Sequence, residues 1–140
     1  MSTVVIDASA ILAAILGEPG SDALFDLLDE AIVSTVNVAE VYTYTAINEL
    51  STEAIDAFFA DTGIAIVSFD WMQAVTAGQF ASITRKAVLS LGDRSCLALA
   101  KLRNAEVLTA DRPWQQLHCS TSHCAHFSSY KPGSPPTSGT

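Results

Sequence analysis

The order of apolar and polar residues predicts a chain in which strands and helices alternate. Runs rich in β-branched residues are typical of strands and occur at 3–7, 31–34, 64–69 and 107–109. The run at 64–69 hardly alternates, so we predict that it forms a buried strand. Helices are predicted over about 8–16, 22–30, 36–49, 52–61, 70–89 and 93–104. This alternation predicts an α/β fold, with a mostly parallel central sheet that is flanked by helices on both faces.

Polar residues and glycines mark several helix boundaries. Thr35 and Asp70 are expected to cap the helices that follow them, because short polar side chains accept hydrogen bonds from the first free backbone N–H groups. Gly63 is expected to end the helix before it, and Gly92-Asp93 is expected to open the last helix.

The alternating pattern stops near residue 117. Residues 118–140 are rich in Ser, Pro, Gly and Thr and show no apolar periodicity, so we predict that most of them are disordered. The His and Cys residues of this tail fit no familiar tetrahedral zinc spacing. We therefore expect one domain over 1–117 and a disordered tail over 118–140.

Length and composition indicate a single domain in the cytosol. A chain of 140 residues buries roughly two-thirds of its unfolded surface. No stretch of about 18 apolar residues predicts a transmembrane helix. The first residues lack a basic region and place an acid within the apolar run, which is unlike a signal peptide. Three cysteines at irregular spacing imply no disulfide framework.

Charge is divided unevenly along the chain, whose net charge is −8. Residues 1–84 contain 12 acids and no Lys or Arg, whereas residues 85–140 contain seven bases and three acids. Such asymmetry is typical of an electrostatic footprint on one face, although solvated basic helices give the same pattern. An acidic pocket beside basic residues suits a polyanion that a divalent metal ion bridges to the protein.

Four acidic residues, Asp7, Glu40, Asp93 and Asp111, are the candidate functional residues. Asp7 ends the first predicted strand and Asp111 closely follows the last one. Both carboxylates are therefore expected at the carboxyl edge of the sheet, where open α/β sheets bind ligands. Glu40 and Asp93 lie on predicted helices between these strands. The set predicts a metal site that cleaves phosphodiesters.

The residue types also predict which metal this site binds. Carboxylates that converge within a few ångströms repel one another by ~4 kcal/mol per pair at 4 Å, unless they bind protons or cations. Ligand sets made only of oxygen favour Mg²⁺ or Mn²⁺, and such an ion acidifies bound water and stabilises charge on a phosphate. We expect Asp7 and Asp93 to hold the main ion, and Glu40 and Asp111 to complete its shell.

Three of the four acids also have an ordinary structural explanation. Asp7 and Asp93 are plausible helix N-caps, and Asp111 precedes Arg-Pro, a combination common in turns. Glu40 is more informative, because it lies in the apolar stretch 36–42, where a buried acid needs a partner or a metal. The occurrence of all four in this order favours a functional site.

Neighbouring polar residues are predicted to support the acids. Ser9 follows Asp7 by two residues, Asn37 lies one helical turn before Glu40, and Thr109 lies two residues before Asp111. Hydroxyl and amide groups of this kind orient carboxylates or hold metal-bound waters, although turn and cap chemistry explains them equally well. Two arginines adjacent to acids, Arg94 and Arg112, are candidate contacts to substrate phosphates, with simple surface placement as the alternative.

Four blocks of this sequence resemble one known family. They are Val-Val-Ile-Asp-Ala-Ser (4–9), Asn-Val-Ala-Glu-Val (37–41), Leu-Gly-Asp-Arg-Ser-Cys-Leu-Ala-Leu-Ala (91–100) and Leu-Thr-Ala-Asp-Arg (108–112). In this order they resemble the PIN-domain ribonucleases, and within these the VapC-like toxins of bacterial toxin–antitoxin pairs. The resemblance covers about residues 3–117. It implies an endoribonuclease dependent on Mg²⁺ or Mn²⁺, with Asp7, Glu40, Asp93 and Asp111 as its acidic quartet.

The resemblance also implies partners for the chain. VapC-like toxins form homodimers, cleave RNA and are inhibited by a small antitoxin whose C-terminal segment lies across the site. The helix predicted at 8–16 is apolar nearly all round, which indicates burial in the core or an interface. A partner helix docked in a groove beside Phe25 and Leu28 would fit this pattern.

The tail departs from the family pattern. VapC-like toxins usually have a final strand after the segment that matches 114–117, and here the Ser/Pro-rich tail replaces it, as a frameshift near residue 117 would do. Loss of that strand would uncover the edge of its neighbour, lower the stability and favour aggregation.

Two other classes of function are open on the residues alone. A phosphatase or phosphotransferase with an aspartate nucleophile would also use Asp7, but haloacid-dehalogenase-like enzymes have a second Asp where this chain has Ser9. A receiver-like phospho-acceptor requires a Lys after a late strand, where this chain has Thr109-Ala110-Asp111. In a non-catalytic module, the acids would only bind a cation or a basic peptide.

Overall fold

A computed structural model describes residues 3–83, 89–110 and 124–126 of the chain. The strands in these ranges are β1 (Val4–Ile6), β2 (Ala31–Ser34), β3 (Ala65–Val67), β4 (Glu106–Thr109) and β5 (Cys124–His126). The helices are α1 (Ala8–Leu16), α2 (Asp22–Phe25), α3 (Thr35–Ile47), α4 (Glu53–Thr62), α5 (Trp71–Ile83) and α6 (Leu91–Arg103). Strands and helices alternate along the chain, as predicted.

The strands form one sheet in the order β3-β2-β1-β4-β5, and every pair of neighbours is parallel. β1 is the central strand. The chain runs from β1 to β2 on one side, whereas β4 pairs on the other side. The carboxyl ends of β1 and β4 therefore flank the point where the strand order reverses, which is where open α/β sheets form a ligand crevice.

Apolar residues on the two faces of the sheet belong to two separate core clusters. In β1, Val4 and Ile6 pack into the cluster that includes residues of α1, α2, α3 and α4. Val5 points to the opposite face and packs with α5 and α6. Three consecutive apolar residues are buried because helices cover both faces, which confirms the predicted α/β layers. No helix in the described ranges is long and apolar enough to cross a membrane.

Helix boundaries agree with the predicted ones to within a few residues, apart from α2 and the end of the helix predicted over 70–89. The structure describes α5 as far as Ile83, and residues 84–88 lie outside the described residues. Asp70 caps α5 as predicted, because its Oδ1 accepts a hydrogen bond of 2.9 Å from the Gln73 N–H. The cap of α3 is Ser34 and not Thr35, and the cap of α6 is Ser90 and not Gly92-Asp93. The helix predicted over 22–30 ends at Phe25, and short-range backbone turns lead from there to β2.

The prediction of a buried strand at 64–69 is wrong in two respects. The strand β3 spans only Ala65–Val67, and both Ala65 and Ile66 are exposed. The reason is its position, because β3 pairs with β2 alone and is an edge strand of the sheet. An apolar run does not by itself distinguish a central strand from an edge strand.

The expectation that the chain has no strand after β4 is also wrong. Cys124–His126 form β5, which pairs in parallel with Val107–Thr109 of β4. A strand can form there without apolar periodicity, because the pairing uses backbone groups. These three residues cover the edge of β4 that a missing strand would have left open. The other residues of the tail, 118–123 and 127–140, lie outside the described residues, so their predicted disorder stays a prediction.

Candidate active site

A pocket of about 430 Å³ lies at the carboxyl edge of the sheet and contains three of the four predicted acids. Asp7 follows β1, Glu40 comes from α3 and Asp93 from α6. The residues that line this pocket are Asp7, Ala8, Ser9, Leu12, Glu40, Thr43, Tyr44, Ile47, Ser90 and Asp93. None of these described residues is basic, so the charge of the pocket is negative.

Asp7 is built into the fold by three hydrogen bonds. Its Oδ1 accepts from the backbone N–H of Ala10 at 2.9 Å, which caps α1, and from the Ser9 hydroxyl at 2.8 Å. Its Oδ2 accepts from the Thr109 hydroxyl at 2.5 Å. Because an ionised carboxylate has about four acceptor positions, these bonds leave Oδ2 with room for one more partner. Asp7 therefore has both the structural role of an N-cap and an acceptor available to a ligand.

Burial makes the charge of Asp7 costly. The residue is only 3% exposed, and burial raises the pKa of its carboxyl from 3.8 to about 6. The hydrogen bonds from Thr109, Ala10 and Ser9 oppose this shift, whereas the negative charge of Asp93 adds to it. A bound cation would remove this cost, because it stabilises the ionised form.

Ser9 and Thr109 join the start of α1 to the end of β4. The Ser9 hydroxyl accepts a hydrogen bond of 3.0 Å from the Ala110 N–H and lies 3.2 Å from the Thr109 hydroxyl. Both hydroxyls donate to Asp7. The structure thus brings these two predicted neighbours of the acids together around one carboxylate.

Glu40 has a looser environment than Asp7. It is half-buried, and burial together with the charge of Asp93 raises the pKa of its carboxyl. The side-chain amide of Asn37 donates a hydrogen bond of 2.8 Å to Oε1 of Glu40 and one of 3.1 Å to the carbonyl of Gly92. This bond opposes the rise in the Glu40 pKa. The predicted neighbour Asn37 therefore connects Glu40 to the start of α6.

Asp93 lies in the first turn of α6, where it forms a capping box with Ser90. The Ser90 hydroxyl accepts from the Asp93 N–H at 3.2 Å, and the Asp93 carboxylate accepts from the Ser90 N–H at 3.1 Å. The carboxylate bonds through Oδ2, and its negative charge raises the pKa of both Asp7 and Glu40. Asp93 thus has a structural bond and an electrostatic influence on the other two acids.

Other residues near the acids were not predicted from the sequence. Thr43, Tyr44 and Ile47 line the pocket because they lie three, four and seven residues after Glu40, on the same face of a helix. Their spacing from Glu40 is visible in the sequence and could have predicted that they lie beside it. Cys96 is fully buried near all three acids, and burial, followed by their charges, raises the pKa of its thiol well above 9.0.

Not every predicted site residue lies in the pocket. The Arg94 guanidinium donates a hydrogen bond of 3.2 Å to the carbonyl of Ala77 in α5. Arg94 is not among the residues that line the pocket. Its contact with substrate stays a prediction. Asp111 and Arg112 lie outside the described residues, so their predicted roles stay predictions as well.

The three described acids share a pocket without forming a closed metal cage. Within residues 3–83 and 89–110, no three His, Cys, Asp or Glu residues come together closely enough to form a metal-binding group. Mg²⁺ does not require such a cage, because it keeps several waters and binds through one or two carboxylates. The donor set of Asp7, Glu40 and Asp93 consists of carboxylate oxygens, so its chemistry fits a hydrated Mg²⁺ or Mn²⁺ ion.

The sequence of the chain matches the family model of the PIN domain over residues 4–118. The chain belongs to the PIN domain family. No curated protein matches this chain in sequence. The match includes all three acids of the pocket and extends past Asp111, so the predicted resemblance to PIN-domain proteins is confirmed.

Solved structures with the same fold include several toxin–antitoxin proteins. This PIN domain is similar to a chain of the FitAB complex bound to a DNA fragment, with a TM-score of 0.73, 18% identity, and coverage of 94% of this chain and 100% of that chain. VapBC2 from Rickettsia felis, also bound to DNA, gives a TM-score of 0.69 and 14% identity, and the match covers 89% of this chain and 98% of that chain. VapC20 from Mycobacterium tuberculosis, a toxin that cleaves the sarcin–ricin loop, gives a TM-score of 0.61 and 13% identity. The match covers 77% of this chain and 88% of that chain.

Proposed function

We propose that this PIN domain is an endoribonuclease that requires Mg²⁺ or Mn²⁺ and acts as the toxin of a toxin–antitoxin pair. The observation that carries the proposal is the pocket that Asp7, Glu40 and Asp93 all line, with no basic side chain among the described lining residues. Such a pocket attracts a divalent cation, and the cation in turn attracts a phosphodiester.

Electrostatics supports the need for a cation. The pKa of Asp7 is raised to about 6, and the pKa of Glu40 is raised as well. Both carboxylates ionise at a cost in free energy, Asp7 above about pH 6, because Asp7 is buried, Glu40 is half-buried and Asp93 lies near both. A divalent ion offsets this cost, so the acids bind the ion most strongly when all three are ionised.

The side chains have different roles in this proposal. Asp7 and Asp93 hold the ion, while Glu40 and Asp111 complete its shell or hold its waters. Ser9 and Thr109 fix the orientation of the Asp7 carboxylate, and their two hydrogen bonds favour its ionised form. When bound, the ion supplies a Lewis acid for the scissile phosphate and acidifies water, so that hydrolysis needs no protein nucleophile.

RNA is the proposed substrate. VapC20, which has the same fold, cleaves an RNA loop. Arg112 is proposed to contact substrate phosphates, and so is Arg94 if its guanidinium leaves the Ala77 carbonyl. The acidic pocket alone would repel a polyanion, so the cation is also the group that holds the scissile phosphate in place.

An antitoxin is the proposed protein partner. Leu16 at the end of α1 and Phe25 at the end of α2 are 53% and 46% exposed. Exposed apolar residues of this size suit a docked apolar helix, as predicted for the groove beside Phe25 and Leu28. VapBC2 and FitAB, which share the fold, were solved as toxin–antitoxin complexes.

We also propose that the protein is a homodimer and is cytoplasmic.

The hydrogen bonds of Asp7 argue against an aspartate nucleophile. A carboxylate that attacks a phosphate needs an exposed oxygen with a free approach. Asp7 is 3% exposed and accepts three hydrogen bonds, and the Thr109 hydroxyl is bonded to Oδ2, the oxygen with the remaining acceptor position. The environment therefore favours a carboxylate that holds a ligand over one that forms a bond with the substrate.

Incubation of the purified chain with RNA tests this proposal. The mixture contains Mg²⁺ or Mn²⁺, and EDTA is added to a parallel sample. We expect RNA fragments with either metal and none with EDTA. Binding of RNA without cleavage under every metal condition would favour a non-catalytic module. Transfer of phosphate to Asp7 from a phosphoryl donor would favour a phosphotransferase.

A further inference from the structure

We infer that Gly92 is a positioning residue for Glu40, because the side chain that Gly92 lacks would occupy the place of the Glu40 carboxylate. The inference rests on the proposed function in one respect, namely that Glu40 belongs to a working site. Its structural part concerns two helices, α3 and α6, and does not depend on the reaction.

The space nearest to Gly92 is occupied by the carboxylate of Glu40. A Cβ atom placed on Gly92 would overlap the Glu40 carboxylate, and the three nearest heavy atoms are Oε1, Cδ and Oε2 of that residue. Gly78 in α5 provides the contrast, because a Cβ atom there meets nothing within 4 Å. The absence of a side chain at position 92 therefore makes room for the Glu40 carboxylate.

The backbone conformation does not explain the glycine. Gly92 lies within α6 and is not among the glycines with positive φ, which in the described chain are Gly17, Gly20 and Gly63. Any residue can adopt a helical conformation, and Ala favours a helix more than Gly does. Because glycine weakens α6 at this position, its presence is better explained by the space that it leaves.

Asn37 holds Glu40 in this space. One amide nitrogen of Asn37 donates both to Oε1 of Glu40 and to the carbonyl of Gly92. Asn37 is 1% exposed, so its amide has little freedom to follow Glu40 elsewhere. A methyl group at position 92 would drive the carboxylate out from between Asn37 and α6 and break its bond to the amide.

The displacement would affect Glu40, whereas Asp7 and Asp93 are held by hydrogen bonds that do not involve Gly92. The overlapping atoms are the far end of a flexible side chain, and Glu40 is half-buried, so it can turn toward solvent without unfolding the protein. Asp7 is fixed by bonds to Ser9, Ala10 and Thr109, none of which involves Gly92. Gly92→Ala thus removes one carboxylate from its position through a change in α6.

A double-mutant cycle tests whether Gly92 acts through Glu40. The variants are Gly92→Ala, Glu40→Ala and the double variant, with Gly78→Ala as the matched control for a helical glycine. RNA cleavage with Mn²⁺ is the first readout. We expect Gly92→Ala to slow cleavage by about 10- to 100-fold, the loss typical of residues that orient metal ligands. Gly78→Ala should cleave like the wild type, and Gly92→Ala should cause no further loss once Glu40 is Ala.

The melting temperature without metal is the second readout, and it does not require activity. Gly92→Ala should change Tm more favourably in the Glu40→Ala protein than in the wild type, by about 3 °C or more, because the methyl group then fills vacated space. Equal changes in the two backgrounds would overturn the inference, as would wild-type cleavage by a stable Gly92→Ala protein. A wild type that never cleaves RNA, combined with the expected Tm coupling, would overturn the proposed function and retain the positioning role.

Discussion

The two ends of the carboxylate pocket are built in different ways. At one end, Asp7 is almost fully buried and accepts three hydrogen bonds, one of which caps α1. At the other end, Glu40 is half-buried and accepts one bond from Asn37, in space that Gly92 leaves open. Substitutions at Asp7 therefore change both fold and site, whereas substitutions around Glu40 can change the site alone.

This difference decides which substitutions are informative. Asp7→Ala removes a helix cap, which usually costs about 1 kcal/mol, as well as a charge. Asp7→Asn removes the charge and keeps an oxygen that can accept from Ala10 and Ser9. Asp70 offers a matched control, because it caps α5 through a bond of 2.9 Å from Gln73, the same length as the bond from Ala10 to Asp7.

The largest expected effect on stability concerns the charge of Asp7 and its dependence on pH. The pKa is 3.8 as an ordinary carboxyl and about 6 in the folded protein. As the pH rises through this window, the unfolded chain loses its proton first, so Asp7 increasingly opposes folding. Above pH 6 the free energy of unfolding of the metal-free wild type should be lower by up to roughly 3 kcal/mol. Asp7→Asn should not show this loss, because it carries no charge at position 7. Urea unfolding of both proteins at about pH 4 and about pH 8 measures this difference.

A difference between the two proteins that is the same at both pH values would contradict the buried charge of Asp7. Asp70→Asn is the matched control for the exchange of a capping carboxylate for an amide, because Asp70 caps α5 and is exposed. Adding Mg²⁺ or Mn²⁺ at the higher pH should stabilise the wild type more than Asp7→Asn, since the ion binds the ionised carboxylate.

The next largest effect is expected at the Glu40 end. Asn37→Ala removes the amide that connects Glu40 to the Gly92 carbonyl. We expect RNA cleavage to slow by about 10- to 100-fold, as is typical when a residue that orients a metal ligand is lost. Asn48→Ala is the control, because the Asn48 amide donates at 2.8 Å to a backbone carbonyl of the same helix and is not a lining residue of the pocket. Equal rates for the two variants would show that Asn37 does not position Glu40.

A smaller effect is expected from the hydroxyl that supports Asp7. Thr109→Val keeps the shape of the side chain and removes the donor to Oδ2 of Asp7. That bond is the largest influence that lowers the pKa of Asp7, so its loss should raise the pKa further. The acid limb of the pH–rate profile should then move to higher pH. Thr45→Val, at a buried threonine whose hydroxyl donates to the Tyr42 carbonyl, should leave the profile where it is.

The smallest effect on activity is expected at Asp70. Asp70→Ala removes the cap of α5 and should lower the free energy of unfolding by about 1 kcal/mol. Asp70 does not line the pocket, so the cleavage rate of the folded protein should stay unchanged. A large loss of cleavage in this variant would mean that loss of any capping carboxylate reduces activity, and the comparison with Asp7 would lose its meaning.

Much of the fold was predictable because apolar periodicity reports burial directly. The predicted strand at 31–34 and the predicted helix at 8–16 have the bounds that the structure gives to β2 and α1. The position of a strand within the sheet was not predictable, because an edge strand such as β3 can be as apolar as a central one. β5 was missed for a different reason, since backbone pairing with β4 needs no apolar pattern.

The candidate site divides in the same way. Asp7, Glu40 and Asp93 were predicted from their places in the strand–helix order, and the structure brings all three into one pocket. The role of Gly92 was not predictable, because it depends on how closely α3 approaches α6, and that distance is set by packing. The interaction of Arg94 with the Ala77 carbonyl likewise depends on the contact between α5 and α6.

A comparison of Asp7→Asn with Asp70→Asn tests whether the charge of Asp7 serves a metal-dependent cleavage site. Both variants and the wild type are incubated with RNA and Mn²⁺, with and without EDTA, after far-UV circular dichroism has confirmed that all three are folded. We predict metal-dependent cleavage by the wild type and Asp70→Asn, and cleavage at least about 100-fold slower by Asp7→Asn, beyond the usual loss for a residue that only orients a ligand. Cleavage by Asp7→Asn at the wild-type rate would show that the charge of Asp7 is not needed for cleavage.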